Sequence, residues 1–184
     1  MYVGSYLTIF YTDIVGLAPV AISTIMLMAR VLDIVIDPMV GALAERTRSG
    51  LGRFRPWFLY GCPFFALIGI LTFTNPFSGG SIVGILWAAG TYILTGIMFS
   101  VVNIPYGAMA TVMSEDANQR TILNSFRTIG TQLGMLIVNG VTAVLALHFS
   151  AEGAKVADRH GYMMTAVVYG LLVIPLFLIV FNNS

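Results

Sequence analysis

The apolar run from Pro19 to Ala44 is long enough to cross a bilayer, yet it carries three charges: Leu27-Met-Ala-Arg30-Val-Leu-Asp33-Ile-Val-Ile-Asp37-Pro-Met-Val-Gly41. At the membrane centre each charge costs roughly 2.5–3.5 kcal/mol on insertion scales. Arg30, Asp33 and Asp37 fall at i, i+3 and i+7. On a helix turning about 100° per residue they share one narrow stripe. A stripe this expensive predicts a cation or proton site facing a polar cavity.

Composition extends the membrane reading to the whole chain. Of its 184 residues 58% are hydrophobic and only 9% charged, against about 25% charged in a soluble domain. The formal net charge of +1 gives no basic face for nucleic acid. Cys62 is the only cysteine, which excludes an internal disulfide, and its apolar surroundings predict packing. No basic region precedes an apolar stretch at Met1, so no cleavable signal is expected.

A spanning helix needs roughly 20 mostly apolar residues. Five such segments are visible after a short first one: Pro19 to Ala44, Trp57 to Phe73, Ser81 to Val112, Ile122 to Leu147 and Tyr162 to Phe181. Met1 to Tyr11 is about half a span and reads as a truncated first helix, with Asp13 and Gly16 marking its exit. The expected fold is an all-α polytopic membrane protein with about six transmembrane helices. Loop charge sets the orientation. The loop after the second helix holds Glu45, Arg46, Arg48, Arg53 and Arg55, whereas Glu115, Asp116 and Arg120 follow the fourth. Glu152, Lys155, Asp158, Arg159 and His160 follow the fifth and nearly balance. The positive-inside rule puts the Arg-rich loop, and with it both chain ends, in the cytoplasm.

The fourth segment contains Asn103-Ile-Pro105-Tyr106-Gly107 within its apolar run. Proline removes a backbone donor and disfavours helix just before it. The expectation is a break that lines a cavity, as in transporters; the plainer alternative is a bent structural helix.

Several motifs then become specific together. Arg30-Val-Leu-Asp33-Ile-Val-Ile-Asp37-Pro38 is followed by Arg46-Thr-Arg48-Ser-Gly-Leu-Gly52-Arg53-Phe54-Arg55-Pro56-Trp57. Tyr11-Thr-Asp13-Ile-Val-Gly16, Asn103-Ile-Pro105-Tyr106 and Arg120-Thr-Ile-Leu-Asn-Ser-Phe-Arg127 accompany them. The combination resembles the glycoside–pentoside–hexuronide:cation symporters, the melibiose-permease family of the major facilitator superfamily. The likeness runs the length of the chain and implies one half of a major-facilitator fold, residues 1–184 forming the N-terminal six-helix bundle. On that reading the start of the first helix and the C-terminal half, its natural partner, are missing.

The resemblance also assigns roles. Asp33 and Asp37 match the family's cation-liganding carboxylates, and a carboxylate in hydrocarbon is indeed stabilised by a cation or by a proton. Ser100 matches the hydroxyl ligand, and Arg30 the basic residue one turn before the acids. Asn103 and Arg127 match sugar-contacting positions, Asn103 standing where melibiose permease has an aspartate. Ile36 replaces a liganding asparagine of the sodium-coupled members, which favours H+ over Na+ as the coupling ion without deciding it. Gly41, Glu45 and Arg46 resemble the superfamily's gating motif, and Arg53 and Arg55 extend that cytoplasmic loop. The implied activity is import of a sugar or glycoside with a cation by alternating access in a bacterial inner membrane, with no cofactor.

Blander readings stand beside these. Asp33 and Asp37 could form a structural salt bridge with Arg30. Arg127 could snorkel to headgroups, Tyr106 could stack on a sugar or merely pack, and Asn103 could bond a neighbouring helix. Gln132 and Asn139, seven apart on one face, are secondary cavity candidates. Trp57 and Trp87 read as interfacial anchors. His148 and His160 lack metal-ligand spacing with other donors, so no metal other than Na+ at Asp33 and Asp37 is expected. No nucleophile–base constellation suggests a membrane enzyme. The alternative function is a membrane fragment or half-transporter that does not transport.

Overall fold

The computed structural model describes residues 2–50, 52–77, 81–113, 116–150 and 158–182. Met1 and three of the loop charges considered above, Glu115, Glu152 and Lys155, lie outside them. The described residues form six helices in chain order: α1 (Tyr2–Ile9, continued by a π-helical turn over Phe10–Val15), α2 (Pro19–Arg46), α3 (Arg55–Thr72), α4 (Ile82–Met113), α5 (Ala117–His148) and α6 (Arg159–Asn182). The helical architecture expected from hydropathy is the one observed.

Four helices, α2 to α5, combine the length and hydropathy of a membrane span. α6, with 24 residues, rises about 36 Å at 1.5 Å per residue and so has the length as well. Their outward faces are apolar: Val20, Ile34, Ile82 and Leu136 are each more than 70% exposed. In water such a surface would aggregate; in lipid it is the solvated face.

The helix ends explain where hydropathy fell short. Asp116 caps α5 by accepting from the Asn118 amide at 3.0 Å, so the helix starts in a polar first turn, five residues before Ile122. Asp158 does the same for α6 through the Gly161 amide at 2.8 Å. Each cap satisfies a donor that the first helical turn leaves free. Gly16 ends the π-helical turn in the left-handed region (φ 76°), where glycine alone lacks a Cβ penalty. Asp13 lies inside that turn and does not mark its exit.

Pro105 does not break α4. The helix is continuous over 32 residues with Pro105 inside it, and Pro105 is fully buried. Pro38, Pro63 and Pro175 likewise sit inside α2, α3 and α6. A proline removes one donor, and the surrounding turns together with packed neighbours can carry the helix past it.

α3 packs on both α4 and α6, α4 also on α2, and α5 on α6. An aromatic cluster joins the first helix to this block: Phe10 meets Phe73 at 5.3 Å and Tyr162 at 5.8 Å. Buried hydroxyls tie α3 to α4, the Thr72 and Thr95 oxygens lying 2.8 Å apart. Tyr11 reaches the Ala88 carbonyl of α4 at 3.3 Å. The turn between α3 and α4 is held by buried Asn75, which donates to the Gly84 carbonyl and accepts from the Phe77 amide.

Candidate functional site

The residues singled out from the sequence gather into two groups that share α4. The first lies where α2 crosses α4. Ser100 donates its hydroxyl to Asp37 Oδ1 at 2.6 Å, within the range of a charge-assisted bond. One turn earlier on α2, Asp33 faces Gly96 of α4, whose missing Cβ would stand 3.7 Å from Asp33 Oδ1. Arg30 approaches Asp33 at 3.5 Å with its side chain 78% exposed. The pair is therefore loose, and an exposed ion pair contributes little. Asp37, seven residues from Arg30 and about 10.5 Å along the axis, is held by Ser100 instead. A salt bridge to Arg30 thus accounts for one acid and not for the other.

Two carboxylates one turn apart with a hydroxyl opposite make an oxygen-only set. Such donors suit a hard cation or a proton. Among the described residues no cluster of three or more His, Cys, Asp or Glu side chains forms.

The second group lines an open cavity of about 580 Å³ bounded by α3, α4, α5 and α6, within the usual range of small-molecule sites. Arg127 of α5 donates to Asn103 Oδ1 of α4 at 3.1 Å, and its guanidinium carbon stands 4.9 Å from the centre of the Tyr106 ring. Asn103, Tyr106 and Arg127 thus form one cluster on the wall, joined by Gln132. The close approach needs Gly107: a Cβ there would come within 3.0 Å of Arg127 Nη1. Arg127 turns inward rather than snorkelling to a headgroup, and one face of Tyr106 is already occupied by its cation. Asn139 is not part of the lining; its carbonyl accepts from the Tyr6 hydroxyl at 2.6 Å.

The stripe on α2 does not face this cavity. Asp33, Asp37 and Ser100 are absent from its walls; α2 packs on α4, and Ser100 meets Asp37 across that seam. The residues singled out thus form two polar groups on adjacent turns of α4, at Ser100 and Asn103.

Other wall residues were missed. Asn124, Thr128 and Thr131 of α5 line the cavity beside Arg127. Their signal was available: polar side chains at 124, 127, 128, 131 and 132 recur at helical spacing. Thr128 and Thr131 donate to carbonyls four residues back, which leaves their oxygens as acceptors toward the cavity. Phe65 and Phe99 supply the apolar part of the wall.

The loop residues lie apart. Gly41 on α2 approaches Ile104 of α4. Glu45, Arg46, Arg53 and Arg55 are all exposed, and no ion pair joins them among the described residues.

The whole chain, residues 1–184, matches the family model described as MFS/sugar transport protein. An isoprimeverose transporter of Lactiplantibacillus pentosus is 31% identical over 99% of this chain and 37% of its own length. The inner membrane symporter YicJ of Escherichia coli (strain K12) is 43% identical over 71% of this chain and 28% of its own length. A glucuronide carrier protein homolog of the same organism is 34% identical over 70% and 28%. The chain spans little more than a third of the length of the relatives it matches most fully.

Proposed function

The chain belongs to the MFS/sugar transport protein family, as an integral multi-pass membrane protein, and we propose that it forms the N-terminal bundle of a secondary transporter that moves a sugar or glycoside together with a cation. The coupling ion, H+ or Na+, binds at Asp33, Asp37 and Ser100. The sugar is held at Asn103, Arg127 and Tyr106. A planar guanidinium suits vicinal hydroxyls or a sugar carboxylate because its donors form a fixed fork.

The observation that carries this reading is the shared helix. Ser100 engages Asp37 and, three residues on, Asn103 engages Arg127. A cation arriving at Asp37 displaces the Ser100 hydroxyl proton from the carboxylate, reorients that hydroxyl and so acts on the turn of α4 that carries Asn103. Coupling of this kind is reciprocal: each ligand raises affinity for the other by the same factor. The loaded carrier then rocks about a midplane site, and Gly41, Glu45 and Arg46 in the last turns of α2, with Arg53 just before α3 and Arg55 at its start, control that movement from the cytoplasmic side.

The test is sugar uptake and binding by the full-length transporter over a sugar panel, at varied pH and sodium. In the wild type, sugar affinity should rise with one of the two cations. Asp37→Asn should abolish that dependence while the protein still folds. A cation dependence that survives in both Asp33→Asn and Asp37→Asn refutes the assignment.

A further inference from the structure

On the outer side of the α3–α4 seam lies a second, apolar hollow of about 510 Å³. Its walls are Trp57, Tyr60 and Phe64 of α3 and Met98 and Val101 of α4, with Gly61 as the floor. Its upper end is formed by Thr47 and Pro56. From Pro56 to Phe64 the hollow runs about 12 Å along α3. Tyr60 and Phe64 stay largely exposed, so the bundle itself does not fill it. The Trp57 indole donates to the Thr47 hydroxyl at 3.1 Å, which fixes one wall in place.

The chain next to the end of the hollow is strongly charged. Thr47 is flanked in the chain by Arg46 and Arg48, and Pro56 by Arg55. Between Glu45 and Arg55 there are four arginines and one acid. All four are exposed, and among the described residues none is paired with a carboxylate. Arg55 opens α3, where the helix dipole disfavours a cation. Helix stability therefore does not account for its position.

We propose that this hollow is a binding site for an anionic phospholipid. One acyl chain lies along Trp57, Tyr60 and Phe64, and the phosphate sits among Arg48, Arg53 and Arg55. An apolar slot whose end residues, Thr47 and Pro56, adjoin exposed arginines in the chain matches both parts of such a lipid, and arginine binds phosphate through two parallel donors. Basic juxtamembrane segments concentrate anionic lipid in the same way.

Trp57 and Trp87 are the only tryptophans, so Trp87→Phe leaves a single reporter in the hollow. Trp87 is a tolerant position, since its buried indole nitrogen has no acceptor among the described residues. The Trp87→Phe chain is reconstituted in vesicles containing equal mole fractions of brominated-chain phosphatidylglycerol or brominated-chain phosphatidylcholine. Trp57 should be quenched about threefold more efficiently by the anionic lipid, consistent with the electrostatic preference of a basic segment. The preference should vanish with Arg48→Gln, Arg53→Gln and Arg55→Gln combined. Val101→Phe, which fills the slot, should reduce quenching by the anionic lipid. Inorganic phosphate should not displace the lipid, because it lacks the chain. Equal quenching by both lipids, or a preference that survives loss of the arginines, overturns the proposal. So does quenching replaced by concentration-dependent self-association, which would make a second copy the occupant.

Discussion

Gly107 offers a way to move one functional side chain without unfolding the protein. In Gly107→Ala the new Cβ would stand 3.0 Å from Arg127 Nη1, 3.6 Å from Nη2 and 3.7 Å from Cζ. The crowded atom is the far end of a flexible side chain, so the guanidinium shifts rather than the helix. Alanine in place of glycine favours the helix by about 0.8–1.0 kcal/mol, so α4 should not lose stability. A shift of a few tenths of an ångström strains the 3.1 Å bond to Asn103, and a hydrogen bond to a charged group is worth about 1.5–3 kcal/mol when lost outright. At 1.4 kcal/mol per tenfold, complete loss of such a contact to the sugar sets an upper bound of about 100-fold, and sugar affinity should fall by a part of that, about three- to tenfold. Binding is read in the full-length transporter with a sugar it concentrates. Stability is read on the 184-residue chain by thermal unfolding with a thiol-reactive dye, since its one cysteine, Cys62, is only 3% exposed. Unchanged affinity would refute the placement of Arg127 in the sugar site. Affinity and melting temperature falling together would show a packing fault instead.

Other outcomes follow from the same contacts. Arg127→Lys keeps the charge but loses the planar fork, so sugar affinity in the full-length transporter should drop about tenfold or more while folding is preserved. Ser100→Ala removes the partner of Asp37 and should lower the melting temperature measured without coupling cation, by the equivalent of about 1.5–3 kcal/mol. Asn75→Leu leaves the Gly84 carbonyl and Phe77 amide without their partner, and should destabilise the chain by about 1–3 kcal/mol in the same dye assay. Cys62 should react with a soluble maleimide only on unfolding; prompt reaction in the native state would contradict the packing of α3 against α4.

Hydropathy made the helices legible because lipid-facing positions in this chain are apolar over whole spans. It misplaced the starts of α5 and α6 because Asp116 and Asp158 build those first turns from polar residues. It also over-read Pro105. Three other prolines sit inside equally continuous helices, so a proline in an apolar run does not by itself indicate a break. The pairing of Arg127 with Asn103, 24 positions apart, depends on how α5 lies against α4, and no local pattern contains that angle. The separation of the α2 acids from the cavity was hidden for the same reason. Helical spacing fixes which residues share a face, while the neighbour that the face meets is a property of the bundle.

The Thr72–Thr95 contact bears on motion as well as stability. Apolar surfaces in lipid are nearly indifferent to sliding, since a methyl group exchanges one hydrocarbon neighbour for another. A 2.8 Å oxygen pair is not indifferent. A slip of a single residue, about 1.5 Å along the axis, lengthens the contact, while each hydroxyl keeps its bond within its own helix, Thr72 to the Ile68 carbonyl and Thr95 to the Thr91 carbonyl. The contact works as a detent that sets the vertical register of α3 against α4.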